Sequence, residues 1–252
     1  MARKKSLLSW AVVSLVLSMQ IALVPRAIAG TEEPSEREPL GQLVASVTFE
    51  PPDSNELLDD SEGGASRDSG YCPQDGASYD RLVTPLMPAN NVGLTVEERP
   101  TLFVYVPKTV ATQAYLTVKD KNEDYYYQTT VVIPEKAGIV GIPLPDEAPA
   151  LEIGRNYQWT FLVACENPPR PDSPRVSGWI QRVKPDSDLI GSLGREASLE
   201  GAKQYGAKGL WYDTLATLME LQRSHPEEYV EVWQEFLTSV GLEMIASEPI
   251  LD

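Results

Sequence analysis

Residues 151 to 165, LEIGRNYQWTFLVAC, alternate ring or aliphatic side chains with polar ones and stop at one of the two cysteines in the chain. Period-two alternation places Tyr157, Trp159, Phe161, Val163 and Cys165 on one face of a strand, pointing inward. Working outward, short apolar stretches recur between turn signals from Leu82 to Val183, the pattern of an all-β domain rather than of alternating β and α units. The spacing predicts strands near 81–87, 101–106, 113–119, 125–133, 139–144, 156–165 and 176–183. DKNED, 120–124, reads as the hairpin between the third and fourth of these, and PPRPDSP, 168–174, as a stiff link before the seventh.

Leu151, Gly154, Tyr157 and Trp159 stand in the order L-x-x-G-x-x-Y-x-W, which resembles the tyrosine corner of immunoglobulin-like and fibronectin-type sandwiches. The resemblance implies an antiparallel β-sandwich over 72–185, with the Tyr157 hydroxyl bonded to nearby backbone. Trp159 occupies the place where antibody domains carry their second core cysteine. Cys165, at the far end of the strand, is positioned to tie the segment around Cys72 onto the sheet. A bond between Cys72 and Cys165 is the expectation for an exported chain, two separate thiols being the alternative. Its loop would be worth roughly 4 to 5 kcal/mol in the chain-entropy account.

After Val183 the periodicity turns helical. Tyr205, Gly209, Thr214, Leu218, Leu221 and Pro226 fall on offsets resembling one tetratricopeptide unit, with Thr214 in place of the usual Ala and no second copy. Tyr229, Trp233, Phe236, Leu237 and Val240 form an apolar stripe on a last helix, opened by Pro226 and closed at Gly241. The expectation for 186–252 is a helical hairpin, one tetratricopeptide-like unit plus a final helix, packed on the sandwich.

The first 29 residues place Arg3, Lys4 and Lys5 before an apolar run that ends in Ala27-Ile28-Ala29, the pattern of a secretory signal peptide. An uncleaved anchor helix is the alternative. Residues 30–71 are polar and acidic apart from an island at 43–49 and read as a flexible leader. The formal charge of −16, with 37 acids against 21 Lys and Arg, repels nucleic acid and anionic membranes and suits a soluble protein of the periplasm or extracellular space. No stable membrane span is expected once the signal is cleaved.

The stretches GGASRDSGYC (63–72), LVTPLMPANNVGLTVEERPTLFVYVP (82–107), LEIGRNYQWTFLVAC, VSGWIQRV (176–183), GLWYDTLATLMEL (209–221) and WQEFLTSVGLEMIASEP (233–249) are similar to the domain of unknown function 928 family, mainly cyanobacterial exported proteins. The resemblance covers roughly residues 60–250. It supports the domain limits and implies no mechanism.

Chemistry-bearing residues are sparse. His225, the single histidine, sits at a helix start, where capping or exposure accounts for it better than catalysis. Asp120, Asn122 and Asp124 resemble the opening of a calcium loop, but no Gly follows and Val131 stands where the bidentate acid belongs. No catalytic residue, metal ligand or cofactor is read from the sequence. Tyr125, Tyr126, Tyr127 and Trp179 are the candidate interaction surface, because alternation sends Tyr126 to the face opposite its neighbours, where a ring can stack on a partner. Burial beneath the helices is the competing account of these rings. The leading reading is a non-catalytic protein-interaction or cell-envelope module. A carbohydrate-binding module for envelope or extracellular glycans, or a hydrolase with an unrecognised carboxylate site, are the alternatives.

Overall fold

The computed structural model describes residues 46–52, 72–76, 81–122, 124–190 and 196–251. The signal peptide expected over 1–29, and most of the leader, lie outside the described residues.

Among the described residues nine strands form two sheets, with β1 at Thr84–Pro85, β2 at Val92–Thr95, β3 at Thr101–Val106, β4 at Gln113–Asp120, β5 at Tyr126–Val132, β6 at Gly138–Pro143, β7 at Asn156–Val163, β8 at Arg175–Arg182 and β9 at Ile250–Leu251. One sheet runs β1-β3-β6-β9 and the other β2-β8-β7-β4-β5. Their inner residues share one core, which joins Leu102, Val104 and Ile142 of the first sheet to Leu116, Trp159, Phe161 and Ile180 of the second.

The all-antiparallel expectation is corrected at two edges, where β2 pairs in parallel with β8 and β9 in parallel with β6. Both strands escape sequence reading for a physical reason. VGLT is too short for its alternation to register, and IL pairs through only two residues, so distant partners decide their state. The expected strand at 81–87 shrinks to Thr84–Pro85, since Pro85 and Pro88 lack the N–H that a longer ladder needs. These mixed sheets set the architecture apart from the antiparallel immunoglobulin sandwich.

The C-terminal part holds more than a hairpin. A single turn, α1 at Ser187–Ile190, precedes α2 at Leu199–Ala207, α3 at Trp211–Ser224 and α4 at Pro226–Ser239. Ser198 caps α2 by accepting the Gly201 N–H at 3.1 Å. Pro226 at the first position of α4, with Glu227 and Glu228 beside it, suits the positive end of that helix. After α4, Gly241 at φ +84° lets the chain turn so that the Leu242 N–H reaches the Leu237 carbonyl at 2.9 Å.

Helix α3 is stitched to the sheets through its first turn. Trp159 Nε1 donates to the Tyr212 hydroxyl at 2.8 Å, and that hydroxyl lies 3.0 Å from the Trp179 carbonyl. Trp211 Nε1 donates to the Leu86 carbonyl at 2.9 Å. Close approach depends on Gly93 of β2, where a Cβ would stand 2.5 Å from Tyr212 Cε2.

The island inside the expected leader is no free tail in its described part. Val47 is buried, Phe49 meets Trp211 edge-on with centroids 4.8 Å apart, and the Glu50 N–H donates to the Gly206 carbonyl at 3.0 Å. Residues 46–52 therefore lie across the joint between α2 and α3, because burying Val47 and Phe49 offsets the ordering of a short extended segment.

Candidate functional site

The β4–β5 hairpin sorts the three consecutive tyrosines by backbone parity. Tyr125 points inward: it is buried, donates to the Pro149 carbonyl at 2.7 Å and packs edge-on against Tyr157 with centroids 4.8 Å apart. Burial, reinforced by the neighbouring Tyr157, pushes its hydroxyl up to about 12. Tyr127 is half-buried against the core. Tyr125 is therefore not presented to a partner, while Tyr127, on the same side of the strand, stays partly exposed at the sheet edge. Tyr126 is 55% exposed, its hydroxyl 2.5 Å from Gln128 Oε1.

Strand register carries Tyr126 into a row. It faces Lys119 of β4, which faces Gln158 of β7, which faces Trp179 of β8. The next row reads Gln128, Thr117, Thr160, Ser177, and the third Thr130, Tyr115, Leu162, Arg175. All of these side chains are half-buried or exposed, whereas the residues between them along β4 and β7 are buried. The rows lie on the outward side of β5, β4, β7 and β8, and β2 continues the first of them with the buried Val92 beside Trp179. With strands about 4.8 Å apart, Tyr126 and Trp179 stand about 14 Å from each other. In a chain with 37 acids, these rows carry none.

The end of this sheet is held by polar groups that were candidates for other roles. Tyr157 is buried and its hydroxyl accepts the Glu152 N–H at 2.9 Å, while Gly154 takes φ +79° in the turn between. Leu151 is buried beside them. Burial pushes the Tyr157 hydroxyl up. Asp120 accepts the Tyr125 N–H at 3.1 Å and is paired with Arg155, which also reaches Asp124 at 3.4 Å and Glu152 at 3.3 Å. Burial works to raise the Asp120 carboxyl, but the Tyr125 N–H and the Arg155 guanidinium outweigh it and hold it below its ordinary value. The acids that suggested a calcium loop are thus engaged by a guanidinium.

Cys72 and Cys165 are bonded, with Cα atoms 5.4 Å apart, and this anchors the segment entering the domain just past the end of β7. Among the described residues no group of three or more His, Cys, Asp or Glu could hold a metal ion, and no helix is long and apolar enough to cross a membrane.

The family model described as Domain of Unknown Function (DUF928) matches residues 62–250. The chain belongs to this family. No curated protein matches the sequence. The DUF928 match reaches from the segment before Cys72 to the first residue of β9, so among the described residues it takes in both sheets and the four α-helices.

Of the outward face of this DUF928 domain, the sequence picked out Tyr126 and Trp179 and missed Tyr115, Gln158 and Thr160. The alternation in QAYLTVKD was signal enough for Tyr115. The alternation in NYQWTFLV likewise turns Gln158 and Thr160 outward, and register adds only which neighbours they meet across the sheet.

Proposed function

We propose that this DUF928 domain is a non-catalytic binding module, exported to the periplasm or cell exterior, that engages an envelope component through the outward face of its five-stranded sheet. The observation that carries the reading is the acid-free set of rows on a chain of net charge −16. Acids keep most of such a surface solvated and repel acidic neighbours, so a face without them is where a partner approaches at least electrostatic cost. The paired cysteines and the signal-like first 29 residues support export.

A neutral glycan is the second reading, favoured by what lies between the rings. Tyr115, Tyr126 and Trp179 are interleaved with Gln, Thr and Ser side chains, and Leu162 is the one aliphatic residue of the three rows over β5, β4, β7 and β8. Protein interfaces centre on packed apolar residues, whereas sugars stack on rings and hydrogen-bond to amides and hydroxyls. Crosslinking in intact cells from a photoreactive residue at position 128, with a glycan array on the purified protein, tests both readings. Capture of a partner or glycan that is lost in Tyr126→Ala and Trp179→Ala is the expected outcome. Binding untouched by either substitution removes the face from consideration.

A further inference from the structure

A cavity of about 300 Å³ opens where the end of β2 meets α2 and α3, walled by residues that include Thr95, Glu97, Tyr205, Tyr212, Asp213 and Thr217. Asp213, in the first turn of α3, is 7% exposed. Its Oδ1 lies 3.4 Å from the Val96 N–H, while its Oδ2 is buried with no hydrogen-bond partner. Among the described residues no cation lies within ion-pair distance of Asp213 or Glu97. Arg99 also borders the cavity, yet its Nε donates to the Ala148 carbonyl at 2.8 Å and its Nη1 lies 3.6 Å from Glu98. Tyr205 and Thr217 are shared with a second cavity of about 650 Å³, whose wall adds Glu196 and Glu200.

We infer that this cleft binds a protonated primary alkylamine, with the ammonium group between Asp213 and Glu97. The buried carboxylate has the start of α3 and the Val96 N–H to favour its charge but no paired cation among the described residues, and an ammonium supplies both a full charge and N–H donors. Three N–H groups match Asp213 Oδ2, the Glu97 carboxylate and a lone pair of the Thr217 hydroxyl, whose own proton goes to the Asp213 carbonyl at 2.8 Å, and the Tyr205 and Tyr212 rings provide aromatic walls for a cation. Oδ2 is closed to bulk water, so the ammonium must shed its own hydration, and the cavity wall must give locally, before the two meet. The metal alternative is weaker, because hard cations take six or more oxygens and two carboxylates leave most positions to neutral hydroxyls. Glu196 and Glu200 in the neighbouring cavity favour a diamine over a monoamine.

Binding must compete with a proton. Burial, and then the nearby Glu97, raise the Asp213 carboxyl to about 7, while the Thr95 hydroxyl and the Val96 N–H work the other way. The ionised form that an ammonium needs is therefore depleted below neutral pH.

Isothermal titration of the exported chain with cadaverine, n-butylamine and Nα-acetyl-lysine amide at pH 8 and pH 6 tests the site and separates a free amine from a lysine side chain. Saturable one-to-one binding of cadaverine is expected at pH 8, about tenfold weaker at pH 6 because only about a tenth of Asp213 is then ionised. Asp213→Asn should abolish it at both pH values, and Glu97→Gln, a change at an exposed side chain, should weaken it severalfold with the thermal transition unaltered. Tightest binding of the lysine amide would assign the site to a protein side chain and sustain the proposal. No saturable heat with any of the three amines at pH 8, tighter binding at pH 6, or wild-type affinity in Glu97→Gln would overturn it.

Discussion

Tyr157 gives up its contact with water for a single local bond. Its hydroxyl accepts the Glu152 N–H at 2.9 Å, and its ring packs on Tyr125. Tyr157→Phe keeps the ring and loses the bond, so a loss of about 1 kcal/mol is expected, read as a lower urea midpoint with no change in ligand binding. An unchanged midpoint would mean that water replaces the hydroxyl at no cost. Asp213 poses the opposite case, since its carboxyl sits at about 7 in the fold against 3.8 ordinarily. As pH rises the unfolded chain releases this proton first, so stability is whole below about pH 4, declines from there to about pH 7, and stays reduced above it. The full decline is about 4 kcal/mol as an order of magnitude. Asp213→Asn removes the titration, so its urea midpoint should vary less between pH 4 and pH 8 and lie above the wild type's at pH 8. A wild-type midpoint that climbs steadily from pH 4 to pH 7 would contradict the burial of this acid.

At the scale of elements, the joint between β2 and α3 depends on the absence of a side chain. A Cβ at Gly93 would lie 2.5 Å from Tyr212 Cε2 and 3.0 Å from Trp211 Cδ1, on rings already held by Trp159, the Trp179 carbonyl and the Leu86 carbonyl. Gly93→Ala should therefore cost about 1 to 3 kcal/mol and alter the near-ultraviolet dichroism of the tryptophans. The sequence spoke clearly where an element is long and periodic. QWTFLV lies within β7, and the stripe of Trp233, Phe236 and Leu237 is the buried side of α4. It was silent where partners decide: VGLT becomes a strand only beside β8, and Val47 and Phe49 become core only beside α2 and α3. The candidate face was half legible for the same reason. Alternation places Tyr126 outward, but the line from Tyr126 to Trp179 is made by two intervening strands whose registers one sequence does not encode locally. Nothing in the sequence around Asp213 marks it for burial, which comes from its place beside the end of β2, where the Val96 N–H meets its carboxylate.

For the whole molecule, sheets and helices share one core, in which Trp211, Leu215, Leu218, Trp233 and Phe236 are buried together with Phe103, Leu116 and Trp159. Cutting the chain after Val183 removes those helical residues and bares their counterparts. At roughly 1.5 to 3 kcal/mol per fully buried large side chain, the expected result is aggregation or loss of the thermal transition. A truncated chain that stays monomeric with its full transition would make the helices a separate module. The same core gains from the Cys72–Cys165 bond, and replacing both by Ser should cost about 2 to 5 kcal/mol, seen as a fall in the thermal midpoint. The parallel pairing of β9 with β6 has a further consequence, for the order of assembly. Ile139 pairs with Ile250 and Val140 with Leu251, so the last strand of this sheet arrives long after the strand it joins. A chain emerging from its N-terminus must hold the β6 edge open, with an aliphatic run beside it, until the three long helices have followed. The β6 edge is thus completed late, and through that interval it is an open strand edge to which another chain could pair.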